Sequence, residues 1–428
     1  MKYAFINANL FDGTENEKIR SKVTVVVNNE KIEKIGENID IPQGCKIIDL
    51  SGKYLCPGLI NLHAHLFGTG KPSKALGGGG SQKMLMKLIK TSFGHKIVDA
   101  LVKSSVTETL YSGVTTERSS GDFCYSDVRA RDFINSGKYP GPRMIVPGAA
   151  ITCVGGHGDG TFAQTDNDPA ILSSFVDERA KNKVDYIKIC VTGGVMDAKV
   201  KGEPGEVKMT LEQTKAVCDK AHSLGFMVAS HTESSKGIEV ALKGGVDTIE
   251  HGSVLDDELV SLFKEQKSAF IVTTSPALPL AKLSPDITKL NELCVYNSEV
   301  LLKDMIAGGK RALKEGIPVG LGTDASCPLV TPYNMWREVY YFARYYGVTN
   351  AFALHTATLV NAQIIGIDNI TGSIEEGKEA DMIVVDGNPL EDLTVLKDVK
   401  TVMARGKLYE NPKVKKNEQI ENWLDSLN

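Results

Sequence analysis

The stretch Pro57-Gly58-Leu59-Ile60-Asn61-Leu62-His63-Ala64-His65 decides how the rest of the chain is read. Two histidines at i and i+2 on a strand point to the same face. At the C-terminal end of a barrel strand, that face is the active-site mouth. Two imidazoles placed there can share one metal ion. An isolated pair of this kind is weak, so its meaning depends on what surrounds it.

Downstream of this strand, residues 58–369 alternate short apolar strands with longer helical patterns. The spacing predicts strands at Val114–Thr116, Arg143–Val146, Val184–Val191, Phe226–Ala229, Val246–Ile249, Ala269–Val272 and Ile317–Leu321. Helices are expected over Met84–Tyr111, stopped by Gly113, and over Thr210–Leu224, closed by Gly225. Repeated strand–helix units argue for a parallel sheet. With the strand that opens at Leu59 the count reaches eight, which favours a (β/α)8 TIM-like barrel of the α/β class. The glycine run Gly77-Gly78-Gly79-Gly80 is expected in a loop after the first barrel strand.

The two ends differ from the middle. Lys22–Val27, Ile32–Ile35, Ile47–Leu50 and Tyr54–Cys56 near the start, and Asp381–Val385 and Val399–Met403 near the end, read as strands. Neither set is long enough to stand apart. Residues 1–57 plus 370–428 are therefore expected to form one small β-sandwich domain beside the 58–369 barrel.

Length and charge narrow the function classes. A chain of 428 residues exceeds what one core ordinarily supports, in keeping with two units. A formal net charge of -4 does not suggest nucleic acid or an anionic membrane as a partner. No stretch is apolar for the ~18 residues a membrane span needs, and the first residues are no secretory signal. A cytoplasmic enzyme acting on a small molecule is the expectation, and a homo-oligomer is compatible with it. None of the eight cysteines forms a CxxC pair, which argues against a structural zinc knot.

Polar residues recur at the ends of the apolar strands. Tyr186-Ile187-Lys188-Ile189-Cys190 holds one lysine, which could equally be an edge residue reaching solvent. Val228-Ala229-Ser230-His231 and Thr248-Ile249-Glu250-His251 end in histidines, and Leu321-Gly322-Thr323-Asp324 ends in an aspartate. One such ending is commonplace. A set of five is hard to explain as packing, because a barrel core wants aliphatic side chains.

This ordered set resembles the amidohydrolase superfamily across nearly the whole chain. By that resemblance His63 and His65 match the first-strand pair, Lys188 the fourth-strand lysine, His231 and His251 the histidines of strands five and six, and Asp324 the strand-eight aspartate. The resemblance implies two divalent metal ions, with zinc suited to such ligands and manganese, cobalt or iron able to replace it. It implies a carbamate on Lys188 that bridges them. It makes Asp324 the catalytic base and then acid for a water that the metals activate.

Gly155-Gly156-His157-Gly158 looks like a segment of the branch containing Xaa-Pro dipeptidases and imidazolonepropionases. There the histidine touches the substrate carbonyl, which makes His157 a catalytic and substrate-binding candidate. The run Lys236–Leu242 with Gly244-Gly245-Val246-Asp247 looks like the dipeptidase side of that branch. Arg118 could bind a substrate carboxylate or pair with Asp122. Glu233 stands near a position where relatives often carry tyrosine, and facing the pocket it would favour a cationic substrate group. His95, His222 and His355 read as structural.

The leading reading is hydrolysis of an amide bond in a dipeptide or N-acyl amino acid. A cyclic-amide hydrolase of the imidazolonepropionase kind is the alternative, although such members lack the bridging lysine. A deaminase comes third, since deaminases typically bind one metal. A catalytically silent barrel scaffold stands against the presence of every expected ligand.

Overall fold

A computed structural model describes residues 1–14, 18–72, 86–89 and 91–427. The glycine run at 77–80 and the start of the helix expected from Met84 lie outside them. The expected helix is divided at Thr91. Its side chain accepts a hydrogen bond from Gly94 N at 3.0 Å and caps a new helix, Ser92–Tyr111. The helix expected from Thr210 spans Leu211–Ser223, and Thr210 and Gln213 close a reciprocal capping box at its start.

Both chain ends enter one sheet. Strands Lys2–Leu10, Arg20–Asn28, Lys31–Glu37, Lys46–Asp49 and Tyr54–Pro57 come from the start, and Met382–Val385, Thr401–Ala404 and Lys407–Glu410 from the end. The seam is Tyr54–Pro57. It runs parallel to the first strand and antiparallel to Met382–Val385, with Leu55 opposite Val384. Alternation in Met382–Val385 serves two cores: Met382 and Val384 pack within this sheet, while Ile383 and Val385 join the main core. The expected sandwich would need two sheets. Hydrogen bonding joins all eight strands in one, branched at the first strand, which pairs with three others. That first strand escaped the sequence reading because Asn7, with φ 58°, interrupts its apolar pattern.

The middle of the chain is parallel α/β. Seven parallel strands run in the order Ala163–Thr165, Ala150–Thr152, Ile187–Cys190, Val228–Thr232, Thr248–His251, Ala269–Val272 and Val319–Leu321. Leu59–Ala64, Val114–Ser119 and Arg143–Ile145 form a second parallel sheet. Backbone bonds tie the two together at the site. Thr323 N and Asp324 N donate to His63 O at 3.0 and 2.8 Å, and His65 N donates to Ala325 O at 3.0 Å. A close approach makes this possible: a Cβ on Gly322 would lie 2.4 Å from His63 Cβ. Among the described residues, no helix is long and apolar enough to cross a membrane.

Arg143 clamps the terminal sheet to the parallel region. Its guanidinium meets Glu379 at 2.6 Å and Asp381 at 2.8 Å and donates to Thr116 Oγ1 at 2.7 Å. Asp381 is buried and also accepts from Thr371 Oγ1 and Arg405 N, both at 2.7 Å. Replacing Arg143 with alanine strands a buried carboxylate, so we expect a loss of about 3 kcal/mol in urea unfolding. An unchanged midpoint would show that the junction does not depend on this arginine.

Candidate metal centre and active-site cavity

One cavity opens where the parallel strands end. His63, His65, Lys188, His231, His251 and Asp324 all line it, as do His157 and Glu233. Seven of these eight side chains are buried in the fold, and His157 is half-buried. Arg118, the remaining expected site residue, is absent from the wall.

Strand alternation places the first two histidines. His63 and His65 share a face, with Nε2 atoms 3.2 and 3.6 Å from Asp324 Oδ1. His65 is oriented from behind, its Nδ1 lying 2.7 Å from Gly121 O. The later ligand candidates need more than alternation. Glu250 and His251 are adjacent on one strand, so regular pleating would send them to opposite faces. His251 takes φ 68° and Asp324 takes φ 55°, left-handed values that turn both side chains into the cavity. Thr273 Oγ1, 2.7 Å from His251 Nδ1, fixes the ring.

Two groups of side chains could each hold a metal ion. His63, His65 and Asp324 bring one ligand atom apiece to within 4.8 Å of one another, and so do His231, Glu233 and His251. Burial, reinforced by Lys188, lowers His63 to about 4, and burial lowers His65 to about 4. Burial also holds His231 and His251 well below the usual histidine range. Neutral imidazole is the form that ligates. Burial opposes ionisation of Asp324, but His63, His251 and His65 outweigh it and hold the carboxyl well below its ordinary value. Its second oxygen accepts from the Cys327 thiol at 3.1 Å.

Beneath the histidines lies a layer of charge that the sequence reading missed. Glu250 is fully buried. Its Oε1 accepts from Arg118 Nη2 at 2.8 Å, and its Oε2 sits 3.1 Å from His63 Nδ1 and against Lys188 Nζ. Arg118 also donates to Leu62 O at 2.7 Å and lies over the Tyr186 ring. The expectations for Arg118 are therefore corrected. It is not among the residues that line the cavity and pairs with Glu250 rather than with Asp122, which accepts from Ser119 Oγ and Leu66 N instead. Burial lowers Lys188 to about 7, with Arg118 adding to the effect. Lys188 Nζ, His63 Nδ1 and Glu250 Oε2 are buried with no well-formed hydrogen bond.

His157 stacks on His231 with ring centroids 4.0 Å apart, and Asp197 holds its Nδ1. Gly194 fits against both rings, where a Cβ would come within 3.2 Å of His231. Asp197 and Cys327 left no mark in the sequence because each acts from a loop. His222 contacts Asp247 at 2.9 Å and His355 contacts Gly13 O at 2.7 Å, both away from the cavity.

The Arg118–Glu250 pair lends itself to a direct test. Removing one partner of a buried pair costs about 3–5 kcal/mol. We expect Arg118→Leu to lower the urea midpoint accordingly, and Arg118→Leu with Glu250→Gln to recover part of the loss. Equal losses in the single and double variants would contradict this pairing.

The Amidohydrolase family profile matches residues 54–409. A Bifidobacterium longum structure, provisionally assigned as a prolidase, is 36% identical, covers 100% of this chain and 98% of its own, and superimposes with a TM-score of 0.88. The structure of a Xaa-Pro dipeptidase with methionine bound in its active site is 31% identical, with 96% and 100% coverage and a TM-score of 0.84. Ochratoxinase from Aspergillus niger is 25% identical over 444 residues, spanning 96% of this chain and 87% of that protein. The chain belongs to the amidohydrolase family and is a hydrolase acting on carbon–nitrogen bonds.

Proposed function

We propose a binuclear metal-dependent amidohydrolase that cleaves the amide bond of a dipeptide or N-acyl amino acid. The supporting observation is the convergence of His63, His65, Lys188, His231, His251 and Asp324 on one cavity. Likeness to a Xaa-Pro dipeptidase at 31% identity favours the dipeptide side. On this reading the two parallel sheets form one (β/α)8 barrel over 58–369, and residues 1–57 with 370–428 form the smaller domain. Eight free cysteines fit a reducing compartment such as the cytoplasm.

The donor set fits divalent ions. His63, His65 and Asp324 would hold one, and His231 and His251 the other. Lys188, carried as a carbamate, would offer anionic oxygens to both. Imidazole and carboxylate donors suit zinc. Divalent ions bound there would lower the pKa of water and polarise a carbonyl.

The chain's own residues supply the rest. Asp324 takes a proton at the carboxylate and returns it to the leaving nitrogen, as base and then acid. The Cys327 thiol keeps the second oxygen of that carboxylate in place. His157, its Nδ1 held by Asp197, has only Nε2 left to meet a substrate carbonyl. Phe67, Phe162, Leu280 and Met305 line the same cavity and keep water from competing for the reacting groups.

The test is a hydrolysis screen with zinc-loaded protein from cells grown with bicarbonate. We expect the wild type to release free amino acid from dipeptides, about two metal ions per chain to be found, and Lys188→Ala to lose both metal and turnover. Asp324→Asn should lower kcat by about 10²–10⁴-fold. Full activity in Lys188→Ala, or no release of amino acid by metal-replete wild type, would contradict the proposal.

A further inference from the structure

Glu233 is a buried carboxyl group that faces the cavity with no cationic partner among the described residues that line it. It lies two residues past His231, is 7% exposed and lines the cavity. Its position is fixed from behind. Its backbone N donates to Thr192 Oγ1 at 3.0 Å, and its Oε2 accepts from Val195 N at 2.9 Å. Gly205 presses against its backbone, where a Cβ would lie 2.4 Å from the Glu233 carbonyl carbon.

The other oxygen has no such partner among the described residues. Oε1 lies 3.8 Å from His231 Nε2, a nitrogen already 3.2 Å from Gly193 O. Asp197 and Asp324 both add negative rather than positive potential at this carboxyl. Among the described residues that line the cavity there is no arginine, and the lysine present, Lys188, meets Glu250. A carboxylate buried without a cation is costly, and a ligand that brings the cation removes the cost.

We infer that Glu233 receives the free α-ammonium group of the substrate, so that the enzyme takes dipeptides with an unblocked amino terminus and discriminates against N-acyl amino acids. The inference rests on the amidohydrolase reading above and narrows it. In an α-aminoacyl substrate the ammonium nitrogen is two bonds from the scissile carbonyl carbon. A carbonyl seated at the histidine cluster therefore puts that nitrogen at the cluster's margin, where Glu233 stands. Val195, Met196, Leu280 and Leu301 line the same cavity and would take an apolar first side chain.

Alanyl-leucine and propionyl-leucine isolate the effect. They share the amide bond and the leaving leucine, and differ in the ammonium group. For zinc-loaded wild type we expect kcat/KM to favour alanyl-leucine by about 10²-fold or more, since a site built around a buried polar group rejects the analogue that leaves it unpaired. In Glu233→Gln the ratio should collapse toward one, with metal content retained. A ratio near one in the wild type, or the wild-type ratio preserved in Glu233→Gln, overturns the inference. So does loss of metal from Glu233→Gln, which would assign Glu233 to the ligands of the His231 and His251 group. If the wild type cleaves neither compound, the dipeptide and N-acyl amino acid reading fails on its own account, and calorimetry then decides this one. Tighter binding of 3-methylbutylamine than of 3-methylbutanol, by at least about tenfold and lost in Glu233→Gln, supports an ammonium site; equal binding overturns it.

Discussion

A carboxylate sealed from water organises this active site. Glu250 is buried beneath the cavity floor, and an ion so placed is tolerated only with close compensation. Arg118 supplies a full charge at 2.8 Å from the next sheet, while Lys188 and His63 approach from above. Because Glu250 and these three partners stand on four different strands, Glu250 fixes the mutual placement of those strands at the mouth. The functional cluster is thus built on a charged layer rather than on the aliphatic layer that usually fills a barrel core.

That layer explains how the site above it is primed. Burial holds His63, His65, His231 and His251 below the usual histidine range, and Asp324 lies within reach of His63 and His65. Lowered histidine pKa values favour the neutral imidazole, the form that ligates. Backbone strain completes the arrangement, since His251 and Asp324 both adopt left-handed φ values that aim their side chains inward. Each device acts at the strand ends, and the loops add orientation through Thr273, Asp197 and Gly121.

Much of this was legible in the sequence, for a physical reason. His63, His65, Lys188, His231, His251 and Asp324 are polar residues in strands whose neighbours are aliphatic, so each violates the local pattern visibly. Parallel strands also bring their C-terminal ends to one side, which gathers the violations without any knowledge of loops. Arg118 stood out equally, but its partner is fixed by contacts across the sheets, and no spacing in the chain reveals that Glu250 lies beside it. Glu250 itself was hidden by its neighbour His251, whose turned backbone breaks the alternation a reader would apply. Asp197 and Cys327 act from loops, where periodicity carries no signal. The terminal sheet was partly legible: its strands alternate, but their joining into one branched sheet depends on pairing between residues more than 300 positions apart, such as Cys56 with Ile383.

Anomalous diffraction at the zinc edge, on crystals of metal-loaded protein, tests the central claim most directly. The account predicts two peaks in the cavity, one among His63, His65 and Asp324 and one beside His231 and His251, with density for a carbamate on Lys188 between them. No peak in the cavity, with Lys188 still seated on Glu250 as an unmodified amine, would contradict it.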